Sequence, residues 1–217
     1  MIRSKAALIV SAVILCICMY LYFPFPNNEM LDAGTTFMSF PIRNQDGYIM
    51  LGVIGSILFV IAMILLFIGV KKYHFRTLVI VMVIYTFLPK LLITTYQETL
   101  ASGIMSISYD GKGTCNFENV NDDLLDGEAS LNIHNRSNED VTFELEFLDT
   151  IFYYDEERME SLMNLNGPYK ITIEANNNET IQLKEMLDVS DVPKHITEGT
   201  LNNVHFILTD GETKRTF

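Results

Sequence analysis

Residues 48 to 70 read YIMLGVIGSILFVIAMILLFIGV, twenty-three positions without a charged side chain. At 1.5 Å per residue a helix over this run is about 34 Å long, enough to cross a hydrocarbon core of ~30 Å. The run predicts a transmembrane helix. Gly52, Gly55 and Ser56 set small side chains on neighbouring turns, where another helix can approach closely.

Two further apolar runs flank it. AALIVSAVILCICMYLYF, residues 6 to 23, follows MIRSK and carries no charge. A secretory signal has an apolar core of ~7–15 residues and a small-x-small cleavage site; this run is longer, and PFPNNEM follows it. It reads as an uncleaved anchor. The third run, TLVIVMVIYTFLPKLLITTY, spans residues 77 to 96 and contains the pair Pro89-Lys90. Pro89 frees the carbonyl of Tyr85 and predicts a kink rather than a break. Lys90 lies about 20 Å along the helix from Thr77, close enough to the far surface for its stem to snorkel to the headgroups. Its alternative role is a charge facing a polar cavity or a partner helix.

The short connections orient the spans. Arg3 and Lys5 precede the first, and KKYHFR (71–76) joins the second to the third. Positive charges stay cytoplasmic, so the N-terminus and the 71–76 loop are expected inside, and the 24–47 loop and the C-terminal half outside. Tyr20, Tyr22, Phe23 and Phe25 suit an outer aromatic belt, and Tyr73 and Phe75 an inner one. Phe37, Met38 and Phe40 are too apolar for a solvated outer loop; the simplest expectation is a loop packed on its own helices, the alternatives a loop along the membrane interface or one packed under the soluble domain.

Charge divides the chain in the same place. Residues 1–96 hold seven Lys and Arg against three Asp and Glu, and residues 97–217 hold eight against twenty-four, giving +4 and −16. The expected domains are a membrane part over 1–97 and an extracytoplasmic part over 103–217. A surface that acidic repels nucleic acid and anionic lipid. Cys16 and Cys18 lie in the first apolar run and Cys115 alone in the acidic half, so no disulfide can form within that half.

Beyond residue 103 the pattern changes to period two. DVTFELEFLD (140–149) alternates Val141, Phe143, Leu145 and Phe147 with polar residues, and YKITIEA (169–175) repeats the pattern. Further strands are expected at 104–109, 114–119, 129–135, 180–185, 203–209 and 213–217. DEERMESLMNL (155–165) has helical spacing and predicts a short inserted helix. Turn-linked amphipathic strands at this density predict an antiparallel β-sandwich. The strand–turn–strand LNIHNRSNEDVTFELEFLD resembles the pairs in immunoglobulin-like modules of bacterial surface and membrane proteins; the likeness covers one hairpin.

Chemistry is sparse in the sequence. His74, His134, His195 and His205 are scattered, and no phosphate loop, GxSxG or HExxH motif occurs. ENVNDDLLDGE (118–128) groups Asp122, Asp123, Asp126 and Glu128 as oxygen donors for a hard cation, without the spacing of an EF-hand; the simpler expectation is a solvated acidic turn. Asn135-Arg-Ser137 and Asn178-Glu-Thr180 fit the glycosylation sequon. No cofactor is expected. The sum is a non-catalytic, multi-pass protein of the cell membrane that presents an acidic binding module outside, its partner a protein or a second copy. A second expectation is an accessory subunit of a transporter or channel, or a transmembrane sensor, with Pro89, Lys90 and the 24–47 loop as working parts.

Overall fold

A computed structural model describes residues 2–22, 35–37, 40–44, 47–149, 157–211 and 213–217. The chain divides into two compact units, Met1–Thr95 and Tyr96–Phe217.

The first unit is helical, with a small antiparallel sheet. Its elements are α1 (Lys5–Tyr22), β1 (Thr35–Phe37), β2 (Phe40–Asn44), β3 (Gly47–Tyr48), α2 (Met50–Gly69) and α3 (His74–Thr99), the last running on into the second unit. By length and composition α2 and α3 can each cross a membrane; α1 is apolar and shorter. Contacts between α1 and α2 run in opposite order along the two helices. Leu8 packs on Gly69, the Ser11 hydroxyl donates to the Ala62 carbonyl (2.7 Å), and the Cys18 thiol points at the Gly55 carbonyl (3.7 Å). That order makes the pair antiparallel. A Cβ on Gly69 would lie 2.7 Å from Leu8 Cγ, so glycine is what lets the backbones meet there.

The third helix is continuous through Pro89 and extends three residues beyond each end of the expected 77–96 span. Its Tyr85 ring lies on Phe59 (4.8 Å between centroids), and the Tyr85 hydroxyl donates to the Leu15 carbonyl of α1. The Thr86 hydroxyl donates to Met82 O, the usual back-bond of a helical threonine, and not to the carbonyl that Pro89 leaves free. The 24–47 stretch was expected as a loop; its described residues form the strands β1, β2 and β3, at 35–37, 40–44 and 47–48. Phe40, on β2, is buried on α2 as its apolar character requires. Phe23, Phe25 and Met38 lie outside the described residues.

In the second unit two antiparallel sheets share one core. One sheet holds β4 (Ile107–Tyr109), β5 (Thr114–Asn121), β6 (Leu124–Asn135), β9 (Asn178–Asp188) and β10 (Gly199–Asn202). The long β6 is its axis: β9 covers one edge, while β5 and β4 share the other, with β10 outside β5. The other sheet runs β12 (Lys214–Thr216), β11 (His205–Thr209), β7 (Val141–Leu148), β8 (Tyr169–Ile173). Phe117, Leu131 and Ile133 from the first sheet meet Phe143, Phe147 and Phe206 from the second in a core of fully buried side chains.

Several elements differ from the expectation. Residues 103–106 form a 3-10 turn before β4 rather than the start of a strand. The acidic stretch 118–128 is a hairpin: Asp122-Asp123 form its exposed turn, Asn121 stands opposite Leu124, and the residues from Leu124 on belong to β6. Gly127 disguises this strand, and packing demands it: a Cβ there would lie 2.9 Å from both Leu187 Cδ1 and Met163 Sδ. β10 was not anticipated. The expected helix over 155–165 is a 3-10 helix, Glu160–Leu165, opened by Asp149, whose carboxylate accepts the N–H groups of Met159 and Ser161. Residues 155 and 156 lie outside the described residues.

Candidate functional site

Polar groups concentrate where α3 ends and the second unit begins. The 3-10 turn Gly103–Ser106 is too short to satisfy its own last carbonyls, as helix ends generally are. Two side chains do so from opposite ends of the unit. Arg215 on β12 places Nη1 at 2.9, 3.0 and 2.6 Å from the carbonyls of Ile104, Met105 and Ile107. With two protons for three acceptors, one proton is shared. Gln97, in the last turn of α3 and only 4% exposed, donates to Ile107 O at 2.8 Å. The Arg215 guanidinium also stacks over the Phe217 ring, 4.4 Å from its centroid. Burial lowers its pKa to about 10.

Beside this pair, Arg136 at the end of β6 bonds Glu98 (3.2 Å) and Ser108 Oγ (3.1 Å). The last turn of α3 is therefore held by the Arg136 side chain, just past β6, and by carbonyls that Arg215 also binds. Sequence gave little sign of this arrangement. TKRTF reads only as a short closing strand, and the partners of Arg215 are over one hundred positions away.

Asn135 closes β6 as a buried hub. Its amide donates to the carbonyls of Glu139, Ile173 and Glu174 and its oxygen accepts from Ser137 N, Ser137 Oγ and Ser106 Oγ. Fully buried, it is a structural amide, and the sequon it heads is closed to modification in the folded unit. The second sequon asparagine, Asn178, is exposed at the start of β9.

The acids singled out above do not converge. Asp122 and Asp123 sit exposed at the hairpin tip, while Asp126 and Glu128 lie along β6 and both meet Lys184 across the β6–β9 ladder, Asp126 at 3.1 Å. These contacts raise the Lys184 pKa, chiefly through the hydrogen bonds to Glu128 and Asp126. Among the described residues no group of three or more His, Cys, Asp or Glu side chains is placed to hold a metal ion. His134, exposed to Arg136, has its pKa lowered by partial burial and then by that charge.

In the first unit the small residues are already in use. Gly52 is buried, Ser56 Oγ turns back to the Gly52 carbonyl (2.8 Å), and Gly55 carries the Phe40 ring, with a Cβ at Gly55 falling 2.8 Å from Phe40 Cδ1. The close approach expected of this face is filled by α1 and β2 of the same chain. Pro89 is buried and Lys90 exposed on α3. A groove of about 380 Å³, lined by Phe37, Phe59, Met63, Phe67, Leu78 and Met82 among others, runs beside α2 and α3.

Compared with family models, curated proteins and solved structures, the chain finds no match.

Proposed function

We propose that this chain is a multi-pass membrane protein whose acidic second unit is an immunoglobulin-like β-sandwich displayed outside the cell as a non-catalytic binding module. The observation that carries this reading is the course of α3. A helix long and apolar enough to span ends in a turn that belongs to the β-rich unit, held there by Gln97 and by Glu98 on Arg136.

In this reading α1 is the third span. Its 18 residues fall within the ~17–25 that a transmembrane helix uses, and its antiparallel packing on α2 suits consecutive crossings. Arg3, Lys5 and the basic 71–76 loop then face the cytoplasm. Lys90 sits toward the outer end of α3, where its stem can carry the ammonium to the headgroups. The net charge of −16 over residues 97–217 keeps the module soluble and steers basic partners toward it.

Cross-linking of intact cells with a membrane-impermeant amine reagent tests the reading. The expected adducts to partner proteins pass through lysines of the second unit, such as Lys112 and Lys194. Adducts confined to Lys71 and Lys72, or their absence from the second unit while the protein is present in the membrane, contradict it.

A further inference from the structure

Two backbone bonds fix the orientation of β6. The Asn135 N–H donates to Asn177 O, and the Arg136 N–H donates to Ser106 O. Odd residues of β6 thus turn their backbone groups toward β9, and even ones toward β4 and β5, because these groups alternate sides along an antiparallel strand. Odd residues of β6 lie opposite odd residues of β9, as in Ile133 with Glu179 and Leu131 with Ile181. The ladder is therefore made by Glu179, Ile181, Leu183, Glu185 and Leu187. Thr180, Gln182, Lys184 and Met186 turn their N–H and C=O groups away from the sheet.

One end of that outward row is sealed. Asn166 Nδ2 donates to the Met186 carbonyl (3.2 Å) and to the Glu185 carboxylate (2.9 Å), which confirms that Met186 O points outward. The inward-pointing charge of Glu185 is also a common guard for a sheet edge. Further along, among the described residues, nothing pairs with the outward backbone of Thr180, Gln182 or Lys184. That stretch has no proline, and its register with β6 is unbroken. On this stretch itself, Leu183 is only partly buried against the core.

We infer that the 180–184 edge of β9 is a docking site at which an extended segment of a basic partner protein adds a strand to the sheet. The inference rests on the proposed role of this unit as a displayed binding module. Main-chain bonds to three successive outward residues supply the attachment, and alternate apolar side chains of the incoming strand cover Leu183. Charge selects the occupant. The edge is flanked by Glu179, Glu185, Asp126 and Glu128 around the single Lys184, within residues that carry −16 in total. A second copy would bring the same charge and be repelled; a basic strand is attracted.

The test uses the full chain in nanodiscs of neutral lipid and, as probe, a blocked nine-residue peptide of alternating Val and Lys, with hydrogen exchange as readout. In the free protein the amides of Thr180, Gln182 and Lys184 should exchange fast, while those of Ile181 and Leu183 are protected. Adding the peptide should protect the first three. Gln182→Pro removes an outward donor and no ladder bond, so it should weaken binding at least about tenfold while leaving the unit folded. A peptide N-methylated at alternate positions must lose binding to the unaltered protein as well, which keeps the test decisive if the proline variant misfolds.

Binding that survives both changes, or protection at amides elsewhere, overturns the inference. So does protection of residues 180–184 that rises with protein concentration alone, which would assign the edge to a second copy. If the peptide fails while cross-links through the second unit persist, only the edge assignment falls; if both fail, the display role falls with it.

Discussion

Gln97 and Arg215 donate to one acceptor, the carbonyl of Ile107, at 2.8 and 2.6 Å. The first belongs to the end of an apolar helix and the second to the last strand of the chain. Removing Arg215 leaves the carbonyls of Ile104 and Met105 short of a strong donor in a buried setting. Arg215→Met should cost about 2–4 kcal/mol and Gln97→Leu about 1–2 kcal/mol. Because they share an acceptor, the double variant should cost measurably less or more than the sum. Denaturant unfolding of the second unit in the full chain, followed by hydrogen exchange, reads all three.

Asn135 makes bonds with both ends of its amide, so no substitution reproduces it. Asn135→Ala strands several buried backbone carbonyls, and Asn135→Asp adds a buried charge facing them. Each should destabilise the unit by about 3 kcal/mol or more, with the aspartate variant the worse at neutral pH and improving as pH falls. Unfolding curves at pH 7 and pH 5 check the order.

In the first unit Gly55 and Phe40 are a matched pair. Gly55→Val should lower stability in detergent by about 1–3 kcal/mol through collision with the Phe40 ring. Pairing it with Phe40→Ala should recover part of the loss, because the space returns. A Gly55→Val loss that Phe40→Ala leaves unchanged would place the collision elsewhere.

Tyr109 links stability to alkaline pH. Its hydroxyl accepts the Gly113 N–H (2.5 Å) and donates to Val204 O (3.2 Å), and burial pushes its pKa up from 10 to about 12. A phenol whose folded pKa is raised stabilises fully below pH 10. Its share is lost as pH rises toward 12, because the unfolded chain releases the proton first. Tyr109→Phe should therefore be less stable than the parent at pH 8, by about 1 kcal/mol, with the gap narrowing above pH 10. A gap constant from pH 8 to 11 would contradict the assignment.

The parts legible in the sequence were those with a local period. Val141, Phe143, Leu145 and Phe147 alternate with exposed neighbours, and β7 buries that face and exposes the other. The run behind α2 is legible for a different reason, its length without a charge, since a single such run satisfies its backbone away from water only as a helix. The hairpin over 114–135 was half hidden, because Asp122, Asp123, Asp126 and Gly127 have the composition of a loop while Leu125 and Leu187 across the ladder decide otherwise. β10 is four residues of mixed burial and has no pattern to detect. The junction at Ile107 depends on residues from three distant stretches of chain, and no window along the sequence contains it.

Labelling with a thiol reagent that cannot cross a bilayer tests most directly the proposal that the acidic unit lies outside the cell and that the first unit spans the membrane. Cys16, Cys18 and Cys115 would be replaced by alanine, and Asp191→Cys and Lys72→Cys, both at exposed positions, introduced one at a time. Asp191→Cys is expected to react in intact cells, and Lys72→Cys only after lysis. Reaction at Lys72→Cys in intact cells, with Asp191→Cys protected until lysis, would put the acidic unit in the cytoplasm and contradict the account.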